Sequence, residues 1–243
     1  MAEKKDEPHI VMFKGLRLNM FDEQLYFPQA ELTTKGKNKG KWRFNWGAKF
    51  IFPEKDSAEG KALYAQAKKA MSAAKVNKWK DKADEIKVKL ANTPIQDGDD
   101  EEVTTFGPMK GSYFLSASKT VYGPKDGDEK DVPKRPFRII GPRKVKHPET
   151  GELRFPDVKP GDENAPYSGC YVNVKVEFWG QEADGERGIP NRINATILAV
   201  QFAKHGESFG GGTRVNVDDE FDEEDGEDDF GGGTSSDDDD DDL

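Results

Sequence analysis

The chain of 243 residues carries 37 Lys or Arg against 47 Asp or Glu, a formal net charge of −10 at pH 7. This length suits one domain or two small ones, and an apolar fraction of 34% is enough to fill a core of that size. No apolar run approaches about 18 residues, the N-terminus has no apolar leader and Cys170 is the single cysteine, so we expect no membrane span, secretory signal or internal disulfide.

The sequence pattern of the N-terminal part predicts strands followed by a helical segment. Residues 10–18 (IVMFKGLRL) form the first predicted strand, which residues 25–27 extend. A flexible basic loop, KGKNKGK, then precedes an aromatic, strand-like segment, WRFNWGAKFIF. Ser57 is a predicted helix N-cap for an Ala- and Lys-rich segment of one or two helices that extends to residue 90, with Gly60 as its early weak point.

The C-terminal part of the body predicts strands alone. Residues 113–121 and 136–140 form two of them, and a Pro-rich connection over 141–168 follows. From Cys170 to Phe178 every second residue is apolar, which is the period of a half-buried strand. Residues 191–204 form the last strand, apolar on both faces as in a covered strand.

This order of elements predicts a mainly β fold with a helical insertion at about 57–91. The architecture that fits it is a single OB-fold-like antiparallel barrel over residues 1–209. Residues 210–243 are then a Gly-rich linker and a disordered acidic tail.

The acidic balance of the chain comes from its C-terminal end. Residues 218–243 hold sixteen Asp or Glu and no Lys or Arg, and subtracting these sixteen from 47 leaves 31 acidic against 37 basic residues, a body of +6. Such a tail imitates a nucleic-acid backbone and can compete for a surface that binds one. Phe221, Phe230 and Leu243 suit docking into a basic-rimmed apolar pocket, although many acidic tails act only as solubilising segments.

The body combines cations with aromatic residues, as a protein needs in order to neutralise phosphates and stack unpaired bases. Trp42, Phe44 and Trp46 have a period of two and share one strand face, so they are either stacking residues or core. If the three rings are core, Arg43 and Asn45, on the opposite face of the strand, become the residues that contact nucleic acid.

Later strands and loops add further candidates, each of which is otherwise a solvated charge or a half-buried aromatic residue. The candidate nucleic-acid-binding residues are Lys35, Lys37, Lys39, Lys41, Trp42, Arg43, Phe44, Trp46, Tyr113, Lys119, Arg138, Arg143, Lys144, Lys146, Tyr171, Lys175 and Trp179.

Signals of catalysis are weak. His9, His147 and His205 have no metal-ligand spacing, and neither a phosphate-binding loop motif nor a nucleophile-turn motif occurs. We therefore expect no enzymatic activity, no cofactor and no metal.

The segments SGCYVNVKVEFWGQ (168–181) and NRINATILAVQFAKHGESFGGG (191–212), with the acidic tail after them, resemble the phage-encoded single-stranded DNA-binding proteins. The resemblance implies an OB-fold, sequence-tolerant binding of single-stranded DNA, and roles in phage DNA replication, recombination and repair in the cytoplasm of an infected bacterium. It also implies that the tail recruits polymerase and helicase-primase and occludes the DNA groove when DNA is absent.

The resemblance assigns partner binding to the tail, residues 218–243. The residues concerned are Phe221, Phe230, Asp237, Asp238, Asp239, Asp240, Asp241, Asp242 and Leu243. Several similar proteins end on an aromatic residue, whereas this chain ends on Leu243. A homo-oligomer is compatible with the sequence. Two alternatives remain open: an RNA-binding barrel of the cold-shock kind, and an acidic-tailed chaperone or DNA mimic that binds basic proteins.

Overall fold

Ten β-strands and one α-helix form the regular structure of the residues that the computed structural model describes, namely 7–21, 23–185 and 188–209. The strands are β1 (Ile10–Asn19), β2 (Gln29–Leu32), β3 (Lys41–Glu54), β4 (Ile95–Asp97), β5 (Ser112–Lys125), β6 (Arg138–Ile140), β7 (Val145–Lys146), β8 (Leu153–Arg154), β9 (Tyr171–Gln181) and β10 (Arg192–Lys204), and the helix is α1 (Ala58–Trp79).

Five of the strands close a barrel in the order β1, β3, β5, β10, β9. Neighbouring strands are antiparallel except at one place, where Thr196 of β10 forms a parallel bridge with Ser118 of β5. This closed barrel of five strands confirms the predicted mainly β, OB-like fold with one helical insertion, which lies between β3 and β5.

Side-chain alternation decides what enters the barrel. The β9 residues Val172, Val174, Val176 and Phe178 are completely buried, as their period of two predicts. In β1 the buried Phe13 and Leu16 are three residues apart, because Gly15 adopts a φ of +67° within a bulge that shifts the alternation by one residue.

The helix begins where the sequence predicts and ends earlier. The Oγ atom of Ser57 accepts a hydrogen bond of 2.9 Å from the Gly60 N–H, which confirms Ser57 as the N-cap. The helix stops at Trp79 because Lys80 takes a φ of +50°, which a helix cannot continue. The prediction of helix as far as residue 90 is therefore wrong beyond Trp79. The chain after Trp79 forms two 3₁₀ turns instead, Lys80–Lys82 and Leu90–Asn92.

Two smaller expectations also change. Residues 25–27 form a turn rather than a strand, because the Tyr26 N–H donates to the Glu23 carbonyl oxygen over 2.7 Å. Two short strands that the sequence did not predict, β2 and β4, also belong to the main sheet. The Pro-rich connection over 141–168 contains a small two-stranded sheet of β7 and β8.

None of the helices in the described part of the chain is long and apolar enough to cross a membrane. The predicted linker and acidic tail, 210–243, lie outside the described residues.

Gly60 generates a stability prediction that opposes helix propensity. A Cβ at Gly60 would overlap the Glu54 carbonyl oxygen and lie 2.9 Å from the Pro53 carbonyl oxygen. We expect Gly60→Ala to lower the free energy of unfolding by about 1–3 kcal/mol through this crowding, although alanine is the better helix former. Urea unfolding measures the effect, with Ser72→Ala on the exposed face of α1 as the control that should be neutral or slightly stabilising. An unchanged or increased stability of Gly60→Ala would contradict the packing described.

Candidate nucleic-acid interface

A polar groove of about 960 Å³ crosses the outer face of the barrel. It lies between the outward side chains of β3 and β5 and the neighbouring ends of β9 and β10. The residues that line the groove are Lys37, Asn38, Arg43, Asn45, residues 91–94, Gln96, Ser116, Ser118, Lys119, Thr120, Tyr122, Trp179, Gln181 and residues 192–196.

Two exposed aromatic rings lie in this groove. Trp179 is 41% exposed at the end of β9, and its indole N–H donates a hydrogen bond of 3.0 Å to the Thr196 Oγ atom on β10. Tyr122 is 42% exposed on β5, opposite Arg43 of β3. Trp179 was predicted from the sequence and Tyr122 was not, because the predicted strand ended at residue 121, one position before this outward side chain.

Four cationic residues line the groove: Lys37, Arg43, Lys119 and Arg192. Of these, Arg43 has a carboxylate partner, since its guanidinium lies 2.6 Å from the Glu31 Oε2 atom. Both side chains of this pair are exposed, so the pairing is weak and can be exchanged for another anion. Arg192 was not predicted from the sequence, because only the outward phase of β10 indicates it.

Two pairs of polar side chains in the groove are hydrogen-bonded to one another. The Thr120 hydroxyl donates to the Asn45 Oδ1 atom over 2.8 Å, and the Asn194 side-chain amide donates to the Gln181 Oε1 atom over 3.0 Å. These pairings use up donors and acceptors that would otherwise read the edges of individual bases.

The aromatic residues of β3 require a correction. Phe44 and Trp46 are buried in the barrel, where the Trp46 indole N–H donates to the Tyr26 carbonyl oxygen over 3.3 Å, so neither ring is available for stacking. Trp42, on the same face, is half-buried and packs against the core. The alternative contacts Arg43 and Asn45, on the opposite face, do line the groove.

Tyr113 is also engaged elsewhere. Its ring stacks on Tyr64 of α1 with a centroid distance of 4.1 Å and an interplanar angle of 8°. Burial raises the pKa of the Tyr113 hydroxyl, and the Lys55 ammonium lies 5.0 Å from the centre of the ring. Lys55 itself forms ion pairs with Asp97 and Asp99. Tyr113 therefore holds α1 on the barrel and does not line the groove.

Tyr171 faces outward on β9 as predicted, but at the end of the strand opposite to Trp179. Its ring lies 4.4 Å from the Lys204 ammonium and 5.8 Å from the Arg17 guanidinium, and it is absent from the groove lining. Lys175 is exposed on the same strand face between these two ends.

The remaining predicted cations are distributed around the groove or away from it. Lys35 and Lys39 are exposed in the loop that contains Lys37, and Lys41 pairs across the strands with Lys125. Arg138 is engaged with Asp157 at 2.7 Å and belongs to β6, which pairs with the far half of β10. The other predicted cations of this region, Arg143, Lys144 and Lys146, are exposed. Like Arg138, they do not line the groove.

The tail residues named in the sequence analysis lie outside the described part of the chain. Within the described part, no three His, Cys, Asp or Glu side chains are grouped so that they could hold a metal ion.

The barrel order and the position of the groove define an OB-fold protein, since OB-folds bind oligonucleotides and oligosaccharides on the face of their second and third strands, here β3 and β5. Residues 24–231 match the family model described as the single-stranded DNA-binding protein of Enterobacter phage Enc34. The chain belongs to this family.

Individual proteins and solved structures are also similar to this chain. A protein named p50 of Acyrthosiphon pisum secondary endosymbiont phage 1 is 27% identical over 213 residues, which cover 86% of this chain and 94% of the relative. The solved single-stranded DNA-binding protein of bacteriophage Enc34 in complex with single-stranded DNA has a TM-score of 0.54 at 20% identity, covering 83% of this chain and 90% of that one. The same phage protein solved as "Single-stranded DNA-binding protein from bacteriophage Enc34" has a TM-score of 0.52 at 21% identity over 88% and 90% of the two chains.

Proposed function

We propose that this chain binds single-stranded DNA in the groove, without strong sequence preference and without catalysing a reaction on it. The observation that carries the proposal is the pair of exposed rings, Trp179 and Tyr122, set among cations on the face that OB-folds use for oligonucleotides. Family membership supports it, because the solved relative from phage Enc34 is a complex with single-stranded DNA.

The groove offers the two interactions that unpaired strands need. Lys37, Arg43, Lys119 and Arg192 provide positive charge for phosphates, and the two rings provide stacking worth roughly 1–3 kcal/mol per base. Stacking discriminates poorly among bases. The mutually bonded pairs Asn45–Thr120 and Asn194–Gln181 engage part of the groove's hydrogen-bonding groups with one another rather than with base edges, which favours sequence-tolerant binding.

Membership of a phage family supports a proposal for the biological setting. We propose that the protein coats and protects single-stranded DNA during phage DNA replication, recombination and repair, in the cytoplasm of an infected bacterium. In this proposal the tail recruits replication proteins, polymerase and helicase-primase, through its acidic runs and the apolar residues Phe221, Phe230 and Leu243.

The tail is also proposed to compete with DNA for the groove. Phe209, the last described residue before the linker, packs edge-to-face on Phe106 with a centroid distance of 5.4 Å. Phe106 lines a hollow that shares Asn45, Ser116 and Ser118 with the groove. A polyanion attached here has a high effective concentration near the DNA site.

Tryptophan fluorescence tests the groove directly. Trp46 and Trp79 are buried and Trp42 is half-buried, so we expect a poly-dT oligonucleotide to quench mainly Trp179, and salt to reverse the quenching. Trp179→Phe should remove most of the quenching while keeping a ring for stacking, whereas Trp46→Phe, the matched control, should retain it.

Two results of this titration would favour the alternatives. Displacement of the DNA by equimolar RNA of the same sequence, with RNA bound more tightly, would favour an RNA-binding barrel. No response to any oligonucleotide, even after removal of residues 218–243, would favour a chaperone or DNA mimic.

The ion pair between Arg43 and Glu31 gives a prediction of increased affinity. Glu31→Gln removes a carboxylate 2.6 Å from the Arg43 guanidinium, so Arg43 becomes free for a phosphate. We expect about two- to fivefold tighter binding of oligo-dT at low salt and little difference at high salt, as measured by fluorescence anisotropy. Glu152→Gln, an exposed carboxylate outside the groove, controls for the change in net charge. Equal affinities of the two variants would remove Arg43 from the proposed contacts.

Removal of residues 218–243 should tighten binding of oligo-dT at low salt, because a tethered polyanion no longer competes. The matched control keeps the length of the tail and replaces its sixteen acidic residues with Asn and Gln, which should tighten binding equally. Replacing Phe221, Phe230 and Leu243 with Ser should leave DNA affinity unchanged and weaken partner binding. An affinity that the truncation does not alter would rule out competition and leave the partner role standing.

A further inference from the structure

A second hollow, of about 460 Å³, adjoins the groove on the outer face of β3 and β5. We call it the recess. Its lining residues are Asn19, Met20, Phe21, Gln24, Asn45, Gly47, Ala48, Lys49, Phe106, Ser116, Ala117 and Ser118. Because Asn45, Ser116 and Ser118 also line the groove, a strand lying in the groove reaches the recess without crossing a ridge of large side chains.

The floor of the recess consists of very small residues. Gly47 lies opposite Ser118 in the pairing of β3 with β5, next to the pair Lys49 and Ser116. A Cβ on Gly47 would already be 3.4 Å from the Ser118 Cβ atom and 3.5 Å from the Ala117 carbonyl oxygen, so a larger side chain would fill the hollow. Gly47 does not have a positive φ, so its backbone conformation does not demand glycine. A glycine within a strand often marks the close approach of a ligand or another backbone.

Two phenylalanine rings border this floor. Phe21 is 69% exposed, which makes it the most exposed large apolar side chain in the described part of the chain. Phe106 is half-buried and packs edge-to-face against Phe209. Lys49 also lines the recess, and its ammonium lies 5.0 Å from the centre of the Phe114 ring.

We propose that the recess takes an unpaired nucleobase of the strand that occupies the groove, with Phe21 as its principal stacking residue. This inference rests on the proposed binding of single-stranded DNA. A base has flat faces that suit the rings of Phe21 and Phe106, and a polar edge that suits the side-chain amide of Gln24. Lys49 then provides a positive charge for the adjoining phosphate.

The chain contains a matched control for Phe21. Phe27 is 55% exposed and lies in the same connection between β1 and β2, but it lines neither the recess nor the groove. Both rings are mostly in water, so replacing either one with alanine removes little packing.

The experiment compares Phe21→Ala and Phe27→Ala with the unaltered full chain in binding poly-dT over a series of salt concentrations. We expect Phe21→Ala to weaken binding roughly fivefold to a hundredfold, the range for loss of one stacked base. The slope of log K against log salt should stay unchanged, because no phosphate contact is lost. Phe27→Ala should bind as the unaltered chain does. Unaltered affinity of Phe21→Ala, or an equal loss in both variants, would overturn the proposal.

Photocrosslinking with an oligonucleotide that contains 5-iododeoxyuridine gives an independent readout. We expect adducts on Phe21 or Phe106 in addition to the groove residues Trp179 and Tyr122. Adducts confined to the groove would refute the recess as a base site and leave the proposed function intact. If the unaltered chain binds no single-stranded DNA, the proposed function and the recess proposal both fail.

Discussion

The constraint on which the rest of the structure depends is the closure of the barrel, which gives every strand an inside and an outside. Closure rests on the long pairing of β3 with β5 and on the single parallel bridge between Ser118 and Thr196. With the inside filled by rings such as Phe44, Trp46 and Phe178, the alternate residues of the same strands must lie on the outer face of the barrel. The groove and the recess are built from these outward residues, so packing inside the barrel determines the register of the candidate binding surface outside it.

The sequence predicted those elements whose signal is local. The alternation from Cys170 to Phe178 and the Ser57 cap were confirmed because each depends on residues that are neighbours in the chain. The same period of two in Trp42, Phe44 and Trp46 showed that they share a face, but it could not say which face. That choice depends on the partners β1 and β5, which are distant in sequence.

The site predictions that were wrong, and the site residues that were not predicted, depend on contacts across the fold. Tyr113 was predicted to contact nucleic acid, but its ring stacks on Tyr64. No local sequence pattern predicts this contact, because the helix and the strand are far apart in the chain. Phe21 and Phe106 lie in loops on either side of a floor that only the pairing of β3 with β5 creates. Cationic residues were easier to find than to place: Lys37, Arg43 and Lys119 line the groove, whereas Arg138 is engaged with Asp157.

The central claim is that phosphates of single-stranded DNA lie against the cations of the groove. The most direct test is the salt dependence of oligo-dT binding by the chain truncated after residue 217, which removes the acidic tail. Each phosphate contact contributes about −0.7 to the slope of log K against log salt, so the four groove cations together predict a slope of up to about −3. Arg192→Ala should make this slope less steep by about 0.7. Saturable binding with these slopes is the predicted result; a slope near zero, or one that Arg192→Ala leaves unchanged, would contradict the account.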